Sequence, residues 1–417
     1  MLSELKQKTL QALKWSEKYT KTDMLYLARG GFWLFSGQFV TALANFFLTL
    51  ALANLLDKET LGTFRFVLSI AGILAIPCLS GIDTAVLQAV ARSKEADFIK
   101  GLKTKLKYGT LSVVACLGVA LYYFINHNSY LASCFLAISL FVPLINSFPL
   151  YESFWAGRKK FDTQTKYRTI VNVSATALVL FAILLSGNLI FILLAYFFAW
   201  SLLHGLALYK TIKTAKLNKN LDEKSIGYGK HLTLMGVIGQ INGQMDKIVF
   251  WHFLGPEKLA VYFIALAIPQ KIEALFNVVS GLAFPKFSGH SIENLKKSIG
   301  RKMILVFLLV LPVILLYILL APFFYHLFFP KYPEAIFYSQ VYILILLAFP
   351  RTFFGLALKA KMQTKKLYIN TAILTPIYFL LLFILLPAFG TMGAVLTLLA
   401  LEAVTFLVEY ALFKRMK

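Results

Sequence analysis

Charged residues are scarce in this chain of 417 residues: Asp, Glu, Lys and Arg make up 15%, against roughly 25% in a soluble domain. Acids are scarcer still, with 19 Asp and Glu beside 42 Lys and Arg. Cysteine is nearly absent. Cys78, Cys116 and Cys134 all fall in apolar runs, without C-x-x-C or metal-ligand spacing. This excludes a disulfide framework and a metal site of the zinc type, and the three read as small core residues. No Walker-type loop and no G-x-G-x-x-G occur, so the chain brings no nucleotide-binding motif of its own. No cofactor is expected. Long loops on one side of the chain are missing too, which leaves little room there for an enzyme's active site.

What the chain has is apolar length: 59% of its residues are hydrophobic. Run after run reaches the roughly 20 residues that a helix needs to cross a hydrocarbon core. The runs do not alternate with period two, so a β-barrel is excluded. Twelve spans are expected, near 29–55, 62–91, 106–126, 130–156, 169–187, 189–209, 231–254, 259–285, 303–329, 335–358, 367–387 and 391–413. The fold class is all-α integral membrane. Pro77, Pro143, Pro149, Pro269, Pro312 and Pro350 fall inside spans and predict kinks.

The formal net charge of +23 would fit a nucleic-acid partner, but its distribution does not. Of the 42 Lys and Arg, 35 lie in residues 1–29, 92–107, 158–168, 210–230, 286–302, 359–366 and 414–417. Twelve crossings place these segments on one side, and only Lys58, Lys258 and Lys331 on the other. The positive-inside rule then puts both termini and all the basic loops in the cytoplasm. The basic balance is topology, with affinity for anionic lipid headgroups in addition. Residues 1–28 are polar, with no cleavable signal peptide. Leu2, Leu5, Leu10, Leu13 and Trp15 among lysines predict an amphipathic segment on the inner leaflet.

The chain also repeats itself. "LLDKETLGTF" (55–64) returns as "FLGPEKLAVY" (253–262), and "LSGIDTA" (79–85) as "VSGLAFP" (279–285). Six spans separate the copies, so the repeat is parallel, with its axis along the membrane normal. The expected domains are the amphipathic segment 1–28, an N-lobe over 29–209, a cytoplasmic linker over 210–230 and a C-lobe over 231–417. Each lobe has six helices, and a central cavity lies between them.

These residues resemble a known group. "LANLLDKETLGTFRFVLSIAGIL" with "LSGIDTAVLQAVAR", and "QMDKIVFWHFLGPEKLAVYFIALAI" with "VSGLAFPKFS", look like the paired helices of Wzx-type polysaccharide flippases. That family belongs to the superfamily that also holds the MATE exporters and the lipid II flippase. The resemblance implies alternating access and translocation of undecaprenyl-pyrophosphate-linked oligosaccharide for O-antigen or capsule. It also implies membrane lipids and a polysaccharide polymerase as partners.

Ionisable groups inside spans are expensive and are site candidates by default. In "GQINGQMDKI" (239–248), Gln240, Gln244 and Lys247 share one helix face, beside a stripe of Gly236, Gly239 and Gly243 that would admit a neighbouring helix. Lys247, Lys271 and Arg351 are the candidate contacts for a pyrophosphate, with Gln240, Gln244 and the more peripheral Arg65. Asp246, Glu273 and Glu402 are the candidate charge partners or coupling groups. For each, a structural ion pair competes with cavity lining. Asp83 and Glu152 are weaker candidates, and the histidines read as interfacial. Function classes follow from sign: a cationic path suits a lipid-pyrophosphate flippase, and acids suit a MATE-like ion-coupled exporter. A membrane glycosyltransferase or polymerase fits worse, for want of external loops.

Overall fold

The computed structural model describes residues 24–276, 292–361 and 363–416. The expected amphipathic segment therefore lies almost wholly outside the described residues. So do the second copy of the "LSGIDTA" motif and the end of the expected eighth span. Every regular element among the described residues is a helix. In lipid this is forced, because only a helix satisfies all its backbone groups within one apolar segment.

Nine of the described helices are long and apolar enough to cross a membrane, and eleven segments qualify if each of two bent pairs is one span. Both bent pairs occur where proline was expected to interfere. Lys58–Leu74 ends at the 3-10 turn Ile76–Cys78, which contains Pro77; Leu79 turns left-handed (φ 57°), and Gly81–Ala91 continues at a bend of 47°. Ser129–Ile138 is followed by Phe141–Gly157 at 43°, with Pro143 and Pro149 inside the second piece. Pro350 sits in a 3-10 stretch, Ile343–Arg351. Pro312 is carried within the helix Ile292–Phe328.

The longest helix, Ser225–Ala267, joins the expected seventh and eighth spans. Its continuity is interrupted at Gly255 (φ 79°, ψ 176°), directly before Pro256. Only glycine takes that backbone conformation without strain, and proline restarts the helix where no N–H is needed. Two short connections elsewhere end on asparagine caps. Asn128 accepts from the Leu131 N–H at 3.0 Å, and Asn188 from those of Ile190 and Phe191 at 2.9 and 3.3 Å.

The described chain divides into two compact units, and neither follows the chain simply. Unit 1 takes residues up to Ala51 and then Ala71–Gln240; unit 2 takes Leu52–Ile70 and Ile241–Lys417. In unit 2 the hairpin 52–70 meets the segment it resembles in sequence. Phe66 stacks on Trp251 at 4.1 Å between ring centroids. A Cβ on Gly62 would overlap the carbonyl of Pro256, so the two backbones touch. Asn54 donates to the Phe328 carbonyl at 2.8 Å, and Lys58 pairs with Glu334 at 2.5 Å. A core of Leu295, Phe353, Phe354, Leu358 and Phe413 closes the far end of this unit.

In unit 1 the first turns of Ser225–Ala267 are held in the same manner. The Gly81 N–H donates to Thr233 Oγ1 at 2.9 Å, and Gly81 and Gly229 pack without room for a side chain. Ahead of them the linker is clasped by charge. Arg158 forks onto Glu95 at 2.7 and 2.8 Å and also donates to the Lys216 carbonyl at 2.7 Å. Glu95 accepts from the Asn218 N–H at 3.0 Å. The fully buried Asp97 accepts from the Asp222 N–H at 2.7 Å and from the Ser225 hydroxyl. Bidentate arginine–carboxylate geometry is the strong form of such pairs. Its hydrogen bonds hold the Glu95 carboxyl below the usual carboxylate range.

Candidate functional site

In unit 2 part of the polar stretch 239–248 opens onto a cavity of about 480 Å³. The Ser225–Ala267 helix contributes Asn242, Asp246 and Lys247; Thr364–Phe389 contributes Asn370, Thr371, Thr375 and Tyr378; Gln270 and Tyr342 complete the polar lining. Asp246 is buried and doubly bonded. Its Oδ1 accepts from Lys247 Nζ at 3.0 Å, and its Oδ2 from the Tyr262 hydroxyl at 3.2 Å. Lys247 also donates to the Gly243 carbonyl at 2.9 Å. The pair is thus neutralised internally, yet both residues face the cavity.

The amide of Asn242 donates to Thr375 Oγ1 at 3.1 Å. Its own oxygen is buried with no hydrogen-bond partner among the described residues, and so is that of Asn370. Two orphan acceptors in one cavity carry a desolvation cost of about 1–3 kcal/mol each until a donor reaches them. Hydroxyl groups or ordered water are the donors that such a pocket takes.

A second polar cluster lies in the same unit. Arg351 pairs with Glu402 and also reaches Glu409 at 3.4 Å, both on Thr391–Lys414. Gly355 makes room for this, since a Cβ there would stand 2.8 Å from Glu409 Oε1. Glu273 accepts from the Tyr342 hydroxyl at 3.2 Å. Lys271 is exposed and has no ion-pair partner among the described residues. Arg65 lies over the ring of Phe263 at 3.5 Å.

The expected polar stripe is therefore divided. Lys247 reaches the cavity with Asp246. Gln240 belongs to unit 1, where its amide donates to the Gly72 carbonyl at 2.9 Å, in the last turn of Lys58–Leu74. That carbonyl is one of those a helix end leaves open. Gln244 is half-buried and lies outside the cavity lining. The glycine stripe also differs from expectation. A Cβ at Gly236, Gly239 or Gly243 would meet no described atom within 4 Å, so no described helix packs closely at these three positions.

In unit 1 the structure adds charges that a count of basic loops had absorbed. Lys105 is 1% exposed and donates to Asp83 at 2.6 Å. Its helix, Ala96–Ile125, buries Gly101, Lys105, Gly109, Ser112 and Cys116 on one face. That period of small residues was the signal that Lys105 points inward. Arg168 donates to Gln38, and Glu152 is half-buried. His204 is buried between Tyr151 and Trp200.

The sequence profile of a family described as "Polysaccharide biosynthesis protein" matches residues 27–291. No curated sequence matches the chain. Among solved structures, the lipid II flippase MurJ in an inward closed conformation is similar, with a TM-score of 0.72 and 16% identity over 92% of this chain and 88% of that one. An inward-facing multidrug resistance MATE transporter of the MOP superfamily has a TM-score of 0.65 and 14% identity over 90% and 96%. A MOP superfamily transporter from Pyrococcus furiosus, whose binding pocket is described as of reverse polarity, has a TM-score of 0.61 and 14% identity over 93% and 94%. At such identities the likeness concerns the fold, and the family match covers well over half of the chain. The chain is a multi-pass membrane protein of the polysaccharide biosynthesis family, with a fold like those of the lipid II flippase and the MATE transporter.

Proposed function

We propose that the protein translocates a lipid-pyrophosphate-linked oligosaccharide, of the undecaprenyl type, from the inner to the outer leaflet of a bacterial cytoplasmic membrane. Both termini then lie in the cytoplasm, and the two six-helix lobes alternate access around a central cavity. The observation that carries this reading is the polar cavity of about 480 Å³ set among apolar helices, with the orphan amide oxygens of Asn242 and Asn370 beside Lys247. That volume falls within the roughly 300–1,000 Å³ of small-ligand sites. Sugar hydroxyls are donors that suit the two amide oxygens. The family and the fold shared with a lipid II flippase support the same direction.

In this reading Lys247, in the cavity lining, and Lys271, exposed outside that lining, attract the diphosphate. Lys271 is the more available charge, because no described carboxylate pairs with it. Arg351 holds Glu402 and Glu409 in place and acts as a cross-link between helices. The test is a strain lacking its own flippase that expresses wild-type or variant protein at matched levels. Surface polysaccharide should be restored by the wild type and reduced by Lys271→Gln, with Lys271→Glu worse. Normal polysaccharide from both variants would remove the cationic path.

One feature favours a second reading, a MATE-like ion-coupled exporter. Glu273, Glu402 and Glu409 put three carboxylates near one arginine. The same strain separates the two: an exporter would change susceptibility to toxic cations and leave surface polysaccharide intact.

A further inference from the structure

On the surface of unit 1 lies a groove of about 580 Å³. Lys100, Lys103 and Lys107 come from Ala96–Ile125, and Lys219 from the clasped linker; Ile99 and Leu217 supply apolar surface between them. The spacing 100, 103, 107 keeps the three ammonium groups on one helix face, opposite the buried face that carries Lys105. No carboxylate lines the groove. The nearby acids are engaged elsewhere: Glu95 with Arg158, Asp83 with Lys105 and Asp222 with Arg92. Four exposed like charges are thus gathered in one concavity, and nothing in the described chain neutralises them.

The same helix face then changes character. Beyond Lys107 it continues through Leu111, Val114, Leu117 and Leu121, which are 42–65% exposed. Large apolar side chains exposed in this way are lipid-facing in a membrane helix. So the helix face runs from bare lysines into bare leucines within one or two turns. That boundary is the depth at which lipid phosphates lie, and the lysines stand on its polar side. The clasp on Glu95 and Asp97 fixes Lys219 beside them, so the groove is preformed by buried hydrogen bonds.

We propose that this groove binds the phosphate headgroup of an anionic phospholipid, with the acyl chains lying along the Leu111–Leu121 face. The chemistry is that of a phosphodiester monoanion held by several ammonium groups. The leaflet, but not the site, rests on the topology proposed above.

Native mass spectrometry of the full chain in detergent tests it, with phosphatidylglycerol and phosphatidylcholine of matched acyl chains added at equal concentration. The wild type should retain phosphatidylglycerol preferentially. Changing Lys100, Lys103, Lys107 and Lys219 together to Gln should lower that preference about tenfold or more, since each lysine near a membrane surface contributes about a fewfold. Changing the same four to Arg should keep it. Four exposed lysines elsewhere, Lys160, Lys213, Lys359 and Lys365, changed to Gln should leave it unaltered. An unchanged preference in the groove Gln variant, or an equal loss in the remote one, overturns the proposal. So does lysine-dependent binding of added inorganic pyrophosphate without preference between the lipids, which would make the groove a soluble-anion site. The readout is binding alone, so it stands or falls apart from transport.

Discussion

Arg351 has two carboxylate partners and Lys271 has none among the described residues, although the sequence places both as intramembrane cations. Their substitutions should therefore diverge. Arg351→Gln leaves Glu402 and Glu409 largely buried without a counter-charge, and breaking such a pair costs about 3–5 kcal/mol. The midpoint of thermal unfolding in detergent should fall clearly, and adding Glu402→Gln and Glu409→Gln should recover much of it. Lys271→Gln should leave unfolding unchanged while it lowers transport. At the clasp, Glu95 has a folded pKa below its unfolded value because Arg158 hydrogen-bonds its ionised form. Its contribution is then present above the unfolded carboxylate pKa of about 4.3 and is lost as pH falls through the lower folded value. Arg158→Ala should flatten the dependence of stability on pH in that acid window, measured by unfolding from about pH 6 down to pH 3.

At the scale of elements, glycines of identical sequence appearance take opposite roles. Gly62 and Gly81 sit against backbone, where a Cβ would overlap Pro256 or Gly229. Gly62→Ala and Gly81→Ala should each destabilise the protein by more than 1 kcal/mol, about the lower end of overpacking costs. Gly236, Gly239 and Gly243 face open space in a helix. Alanine there gains about 0.5–1 kcal/mol of helix propensity, so these changes should be neutral or stabilising in the same unfolding assay. If Gly239→Ala or Gly243→Ala nevertheless impairs transport, that face is needed in another conformation, which transport assays beside the unfolding curves would reveal. A glycine stripe is legible in sequence as an opportunity for close packing. Whether a neighbour takes it depends on residues far away in the chain.

For the whole molecule, sidedness is the first thing to measure. Cys78, Cys116 and Cys134 are all buried, so the natural cysteines give little background to an impermeant thiol reagent. Glu223→Cys in the linker should label only from the cytoplasm, and Ser129→Cys only from outside, both positions being exposed. Labelling of Glu223→Cys in intact cells would reverse the topology and the leaflet assigned to the transported lipid.

Sequence alone determined the solvent and hence the class of fold. Apolar runs of membrane length leave the backbone no alternative to helices, and that requirement is local, so it is legible residue by residue. Proline breaks at Pro77, Pro143 and Pro149 followed from the missing N–H, which is local too. Tertiary structure decided which charges meet. Glu409 lies 58 residues from Arg351, and Asp83 lies 22 from Lys105. An ion pair depends on distance in space, which neither composition nor periodicity records at such separations. For the same reason Gln240 serves a helix end in unit 1 while Lys247, seven positions on, serves the cavity of unit 2. Helical spacing put the two on one face; the packing of distant helices around that face gave each a different environment, and environment decides what a polar group does.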